Sequence, residues 1–328
     1  MSVGHHQVRV GVLLPTREAA ISGDFAIEPL LGFAREAEGL GFDSLWTGDS
    51  LLARPRLDPV VVLAAVAAAT TRVTLGSAAL TAALRHPLIG AHQIASLDHA
   101  AAGRLVAGLG SGFPAPQTQE EFEAAGVPFA GRAARLDETV RLWRRAWRDR
   151  DGVAAGPRER SDTGGLERLP PPATPGGPPL WLASSDTPRV LERVARLYDG
   201  WLPFLPTPHS YERAWRRIGR LAAEQGRPAN TVVPALYATV AVDPDREQAR
   251  KHLDAYTRAY YGASLEQIAV FQAFGYGSAH ECAQWLGAYV RAGARHLVLR
   301  IGSLDPRAQR AQLTEAARAL VPALRAPG

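Results

Sequence analysis

The chain has 328 residues, and its 46% apolar content is enough for a sizeable core, but length alone does not choose between one large barrel and two ordinary domains. Its net charge of +5 rests on 37 basic residues, of which only Lys251 is lysine; they are scattered among Asp and Glu without aromatic interleaving, which excludes a nucleic-acid-binding stripe. No apolar run approaches the roughly 20 residues that cross a bilayer, and the polar start MSVGHHQ lacks a charged-then-apolar leader, so a cytoplasmic protein with no membrane partner is expected.

Eight apolar runs alternate with helical patterns. The runs are Val8–Pro15, Ser44–Asp49, Val73–Leu80, Leu105–Gly110, Pro179–Ser184, Gly200–Phe204, Val232–Val242 and His296–Ile301. A βα rhythm of this kind predicts a parallel sheet, and eight repeats close a (β/α)8 TIM barrel of the α/β class, a single domain over 1–328. The helices carry apolar residues three and four apart: Leu30, Phe33, Ala37 and Leu40, then Leu136, Val140, Trp143 and Trp147, later Val190, Val194 and Leu197, and finally Leu313, Ala316, Leu320 and Leu324. Each stripe should face the barrel wall. Cys282, the lone cysteine, lies in the helical pattern AHECAQWLGAYV; it excludes an intrachain disulfide and a cysteine zinc site and reads as a small buried residue.

Two segments interrupt the rhythm. After the fourth helix, 150–179 gathers Pro170, Pro171, Pro172, Pro175, Pro178 and Pro179 with Gly164, Gly165, Gly176 and Gly177, so it predicts an excursion on the upper face or a plain linker. After the seventh strand, 245–277 is too long for one barrel helix. It holds Tyr256, Tyr260, Tyr261, Phe271, Phe274 and Tyr276, and it reads as a helical insertion, either an aromatic lid or an outer packing helix.

In a barrel of this kind chemistry sits on the loops that follow the strands. The second strand ends at Asp49-Ser50, a candidate catalytic pair whose carboxylate can accept from a ring N–H; a helix cap or a salt bridge to Arg54 or Arg56 is the other reading. Small residues Gly76, Ser77, Ala78 and Ala79 end the third strand and either admit a planar ring or fill a tapering barrel. His86 next to Pro87 is a proton donor over that ring or a structural histidine bonded to backbone. Gly108-Leu109-Gly110-Ser111-Gly112 lacks the G-x-G-x-x-G spacing of a dinucleotide fold, while its glycines leave room for a ligand beside Ser111. The fifth strand runs into Ser184-Ser185-Asp186-Thr187-Pro188-Arg189, the signature of a helix amino terminus and hence of an anion site, with Ser184, Ser185 and Thr187 as ligands. Neither HExxH, a Walker loop nor a Ser/His/Asp order occurs, and no metal is expected.

From Val73 to Gly112 the chain resembles the bacterial luciferase-like, flavin-dependent oxidoreductases. The matching residues are Gly76, Arg85-His86-Pro87, Leu97-Asp98 before Gly103-Arg104, and the glycines 108, 110 and 112. The resemblance extends from Val10 to about Gly302 and implies a flavin or deazaflavin across the strand ends, its ring near Asp49, Gly76, Ala78, Ala79 and Ser111 and its phosphate at Ser184–Thr187. It further implies a non-proline cis peptide at Ala78–Ala79, as in the deazaflavin-using branch, and a homodimer. Reduced FMN with oxygen acting on a small apolar substrate, fed by a separate flavin reductase, is the monooxygenase expectation; hydride transfer with coenzyme F420 is its alternative. A non-catalytic flavin-binding barrel is a third reading, because Ser50 stands where many relatives carry histidine and Phe113 where sugar-phosphate dehydrogenases carry glutamate. Asp98, Arg104 and Asp199 fall to the bottom of the barrel and to stability.

Overall fold

The computed structural model describes residues 7–148, 168–228 and 230–326. Nine strands are formed: β1 (Arg9–Leu13), β2 (Ser44–Thr47), β3 (Thr74–Ser77), β4 (Leu105–Leu109), β5 (Leu180–Leu182), β6 (Gly200–Trp201), β7 (Val233–Val242), β8 (Phe274–Gly277) and β9 (His296–Ile301). Parallel pairings run from β1 to β2 and onward to β7, then from β7 to β9 and from β9 back to β1, closing an eight-stranded barrel. The eight expected runs supply these eight barrel strands. β8 is the addition: it pairs with the far half of β7, Thr239–Val242, outside the ring.

The 245–277 insertion therefore ends in a strand rather than being wholly helical. Its helices are Arg246–Tyr261 and Leu265–Ala269, the first started by Asp245 accepting from Glu247 N and Gln248 N and the second by a capping box of Ser264 with Gln267. The insertion packs on the barrel and also contributes aromatic residues to the cavity above the strands. Tyr256 is buried against the barrel, whereas Tyr260, Tyr261 and Phe271 reach the space above the strands.

Two apolar layers hold the fold. The larger lies between barrel and helices and contains the expected stripes, including Phe33, Leu136, Val140, Trp143, Trp147, Val194, Leu313, Ala316, Leu320 and Leu324. The smaller fills the barrel: Leu13, Trp46, Val106, Trp181, Leu202, Ala235 and Val298. Alternate residues of each strand point inward, so β9 sends His296, Val298 and Arg300 to the interior in rising layers.

The bottom of the barrel is tied as the sequence suggested. Arg104 donates to the carbonyls of Ala67, Thr70 and Val73, closing the end of helix Pro59–Ala69, and Asp98 accepts from Thr174 N and Oγ1. Asp199 accepts from Leu180 N and Arg144. These bonds also correct the placement of the proline-rich segment. Its described part, 168–179, lies beneath the barrel against Asp98 and His99, because it must enter β5 from the amino end, and not on the upper face; 150–167 fall outside the described residues. Cys282 is buried, and burial pushes its thiol up to about 12, as the small-residue reading requires.

Candidate active site

A cavity of about 840 Å³ opens at the carboxyl ends of the barrel strands, a size that takes a cofactor together with a small ligand. Its floor is uneven in a telling way. On the β2–β5 side the residues are small, Gly48, Ala78, Gly110 and Ala183, whereas on the β7–β9 side they are Tyr237 and Arg300. A Cβ placed on Gly110 would come 3.3 Å from Ala79 Cβ, and the peptide between Ala78 and Ala79 is cis, where the resemblance put it.

The expected site residues separate into two groups. Asp49, Ala78, Ala79, Ser111, Ser184 and Ser185 line the cavity together. Ser50, Gly76, His86 and Thr187 do not. Gly76 faces the barrel interior, where a Cβ would overlap the Trp46 ring, so its smallness serves packing and not the ligand. His86 is exposed and starts helix Pro87–Ala100 by accepting from Leu88 N at 3.3 Å, which corrects its assignment as a catalytic residue. Thr187 occupies the N-cap of helix Pro188–Leu197 but is exposed and makes no side-chain cap bond. Ser50 accepts from Arg54 N at 2.7 Å and donates to Glu121 at 3.2 Å, so it shapes a loop instead of facing the cavity.

Asp49 is anchored, but not by the arginines expected for it. Its Oδ2 accepts from Thr81 N at 2.9 Å and from Arg85 at 2.7 Å, and Arg85 also binds Asp58. Its Oδ1 has no hydrogen-bond partner among the described residues. At the opposite corner Ser184 Oγ is buried and has no partner either, beside the start of helix Pro188–Leu197. A buried hydroxyl without a partner is costly unless a ligand satisfies it.

Three features were missed. Glu121, on helix Pro116–Ala124, is buried and accepts from Leu51 N, Leu52 N at 2.9 Å and Ser50, pinning the loop after β2. Arg300 is 7% exposed, donates to Tyr261 Oη at 2.6 Å and stands 3.9 Å from Glu18, which in turn accepts from Tyr256 at 2.6 Å. The signal was present: a charged residue inside the apolar strand HLVLRI must have partners or a ligand. Tyr237 also lines the cavity with an unpartnered, buried hydroxyl, and burial raises its phenol well above the usual range, keeping it a neutral donor.

Beneath the floor, His296 shares Ser44 Oγ with the Trp46 indole, at 2.7 and 2.8 Å. Burial, with Arg9 adding to it, lowers the imidazole from 6.5 to about 3. The folded protein holds His296 neutral while the unfolded chain takes up a proton below about 6.5. Its contribution is therefore complete above that pH and is lost as pH falls from 6.5 toward 3, at up to about 1.4 kcal/mol per pH unit. Wild type should lose about 2 kcal/mol more than His296→Gln between pH 7 and pH 5 in urea unfolding, and equal pH slopes would contradict the buried neutral imidazole.

The fold is a parallel barrel whose cavity lies at the carboxyl ends of its strands. The model of the luciferase-like monooxygenases matches residues 8–296, and the chain belongs to this family of oxidoreductases. It is 26% identical over 282 residues to a 5,10-methylenetetrahydromethanopterin reductase of Methanolobus tindarius, covering 84% of this chain and 72% of that protein. It is 38% identical over 137 residues to an F420-dependent glucose-6-phosphate dehydrogenase of Kineococcus radiotolerans, covering 39% of each. Among solved structures, a monooxygenase from Streptomyces bottropensis superposes with a TM-score of 0.76 at 22% identity, over 96% of this chain and 99% of that one, a likeness of fold. No helix among the described residues is long and apolar enough to cross a membrane, and they contain no cluster of three or more His, Cys, Asp or Glu side chains arranged as metal ligands.

Proposed function

We propose that the protein is an oxidoreductase that uses coenzyme F420 for hydride transfer to or from a small organic substrate. The observation that carries a flavin-type cofactor is the buried Ser184 hydroxyl without a partner, set beside a helix amino terminus and next to a floor of Gly48, Ala78, Gly110 and Ala183. Ser184, Ser185 and the N–H of Arg189 at the start of helix Pro188–Leu197 would hold its phosphate, and Arg132, whose Nε donates only to Gly112 O, would add charge to that corner. The floor of Ala78, Gly110 and Ala183 would seat the ring, with Ser111 beside it and Arg56 over Gly48 at its far edge. When bound, F420 supplies a hydride donor and acceptor that reacts slowly with oxygen. The free Oδ1 of Asp49, held in place by Thr81 and Arg85, would accept a hydrogen bond from the ring or a substrate hydroxyl, and Phe113 and Phe271 would cover bound ligand at the mouth.

F420 is preferred over reduced FMN because the sequence relatives reported above are a reductase and a dehydrogenase, whereas the monooxygenase likeness is one of fold. The same corner would also take the phosphate of FMN, and in that reading oxygen and a separate flavin reductase enter; a homodimer suits either. Anaerobic fluorescence titration with F420 and with FMN, followed by turnover with the reduced form of each, tests the choice. F420 should bind more tightly, and its oxidation by substrate should proceed without oxygen consumption. FMN binding with oxygen uptake would replace this reading by the monooxygenase, and binding of neither would remove both.

A further inference from the structure

The cavity has a second end, across the barrel from the phosphate corner. The β4–β5 corner holds Ser111, Arg132, Ser184 and Ser185, whereas the loop after β2 and the end of β9 bring in Arg54, Arg56 and Arg300. Among the described residues these three guanidiniums have one carboxylate partner between them: Glu18, 3.9 Å from Arg300 and already accepting from Tyr256. Arg56 packs against the backbone of Gly48, donates to Arg54 O at 3.2 Å and to Tyr260 Oη at 3.3 Å, and has no acidic partner among the described residues. Arg54 lies 5.1 Å over the Tyr261 ring and likewise has none. Asp49, which also lines the cavity, forms its ion pair with Arg85 through Oδ2 and none with Arg54 or Arg56.

Partly buried cations held by phenol rings and backbone carbonyls are incompletely compensated, and the cost falls when an anion enters. A second observation points the same way. Tyr237 presents a buried hydroxyl with no partner on the same side of the floor, under the Arg300 guanidinium, which stands 5.0 Å over its ring. The guanidiniums can only donate and the free phenol can donate beside them, so the group that satisfies all of them together is an acceptor carrying negative charge.

We infer that this end of the cavity is the substrate's anchor, binding a carboxylate or phosphate group through Arg54, Arg56, Arg300 and Tyr237, so that the enzyme acts on an anionic substrate and not on the apolar one its aromatic residues suggest. The inference rests on the cofactor lying toward the β2–β5 side. A ligand bridging both ends would carry its reacting carbon between the small floor and the arginines, with its charge directed away from the cofactor phosphate.

Calorimetry of the whole protein with benzoate, with inorganic phosphate and with benzyl alcohol as the neutral probe tests it, both with and without F420 present. At least one anion should bind in both conditions, and the one that binds identifies carboxylate or phosphate. Arg56→Met and Arg300→Met should each weaken that anion tenfold or more while leaving the Kd for F420 within about twofold. Tyr237→Phe, which removes only an unpartnered hydroxyl and keeps the ring, should weaken it about threefold. No anion binding, equal binding of benzyl alcohol, or a tenfold loss of F420 in Arg56→Met would overturn the assignment. Failure of F420 and FMN to bind wild type would sink the cofactor reading alone, because the anion titration without cofactor stands apart from it.

Discussion

Trp46→Ala is expected to destabilise the protein by about 3–5 kcal/mol, the loss that follows from truncating a large, fully buried aromatic residue. The indole is 0% exposed and sits in the barrel interior with Trp181 at 5.3 Å and His296 at 5.6 Å, the latter edge-on, while its Nε1 donates to Ser44. Alanine would leave a void whose neighbours come from separate, non-adjacent strands of a closed ring, and a closed ring collapses poorly into it. Urea unfolding followed by circular dichroism measures the effect, and a loss below about 1 kcal/mol would mean that the interior layer contributes little. A paired experiment sharpens the point. Gly76→Ala should cost about 1–3 kcal/mol by forcing a methyl into the Trp46 ring, and Trp46→Phe in the same chain should recover part of that cost. Simple additivity would show that the two residues do not meet.

The second large effect concerns binding. Ser184→Asp should raise the Kd for F420, and for FMN, at least a hundredfold, because it replaces a buried donor with a carboxylate at the point where a phosphate would sit; a like-charge contact costs several kcal/mol and each tenfold is about 1.4 kcal/mol. Ser184→Ala should cost far less, of the order of one lost hydrogen bond, about 1 kcal/mol. Fluorescence titration separates the outcomes. Unchanged affinity in Ser184→Asp would move the phosphate away from this corner, while equal losses in both variants would point to a damaged loop instead of charge repulsion.

The barrel was legible because its strands are apolar runs stopped by glycine, proline or acidic residues, and because Trp143, Trp147 and their neighbours repeat at helical spacing. β8 escaped because Phe274-Gly275-Tyr276-Gly277 alternates glycine with aromatics and leaves no apolar run; it exists only because β7 is long enough to offer a second edge. At the site, strand-end hydroxyls and small residues could be read from position alone. Gly76 could not, because a glycine one step inside a strand serves whichever face its neighbour Trp46 occupies. Arg300 and Tyr237 lie far apart in sequence and meet through the β7–β9 pairing, and Glu121 reaches the loop after β2 from a distant helix; no local pattern records either contact.

Cys282 is the chain's single cysteine and its buried thiol stays protonated at neutral pH. The surface therefore carries no reactive sulfur, and the natural sequence is already a clean background for site-directed labelling. A cysteine introduced at the exposed Leu51 would be the only position to accept a maleimide dye, and the fluorescence of that dye would follow opening of the cavity mouth without any prior removal of native thiols.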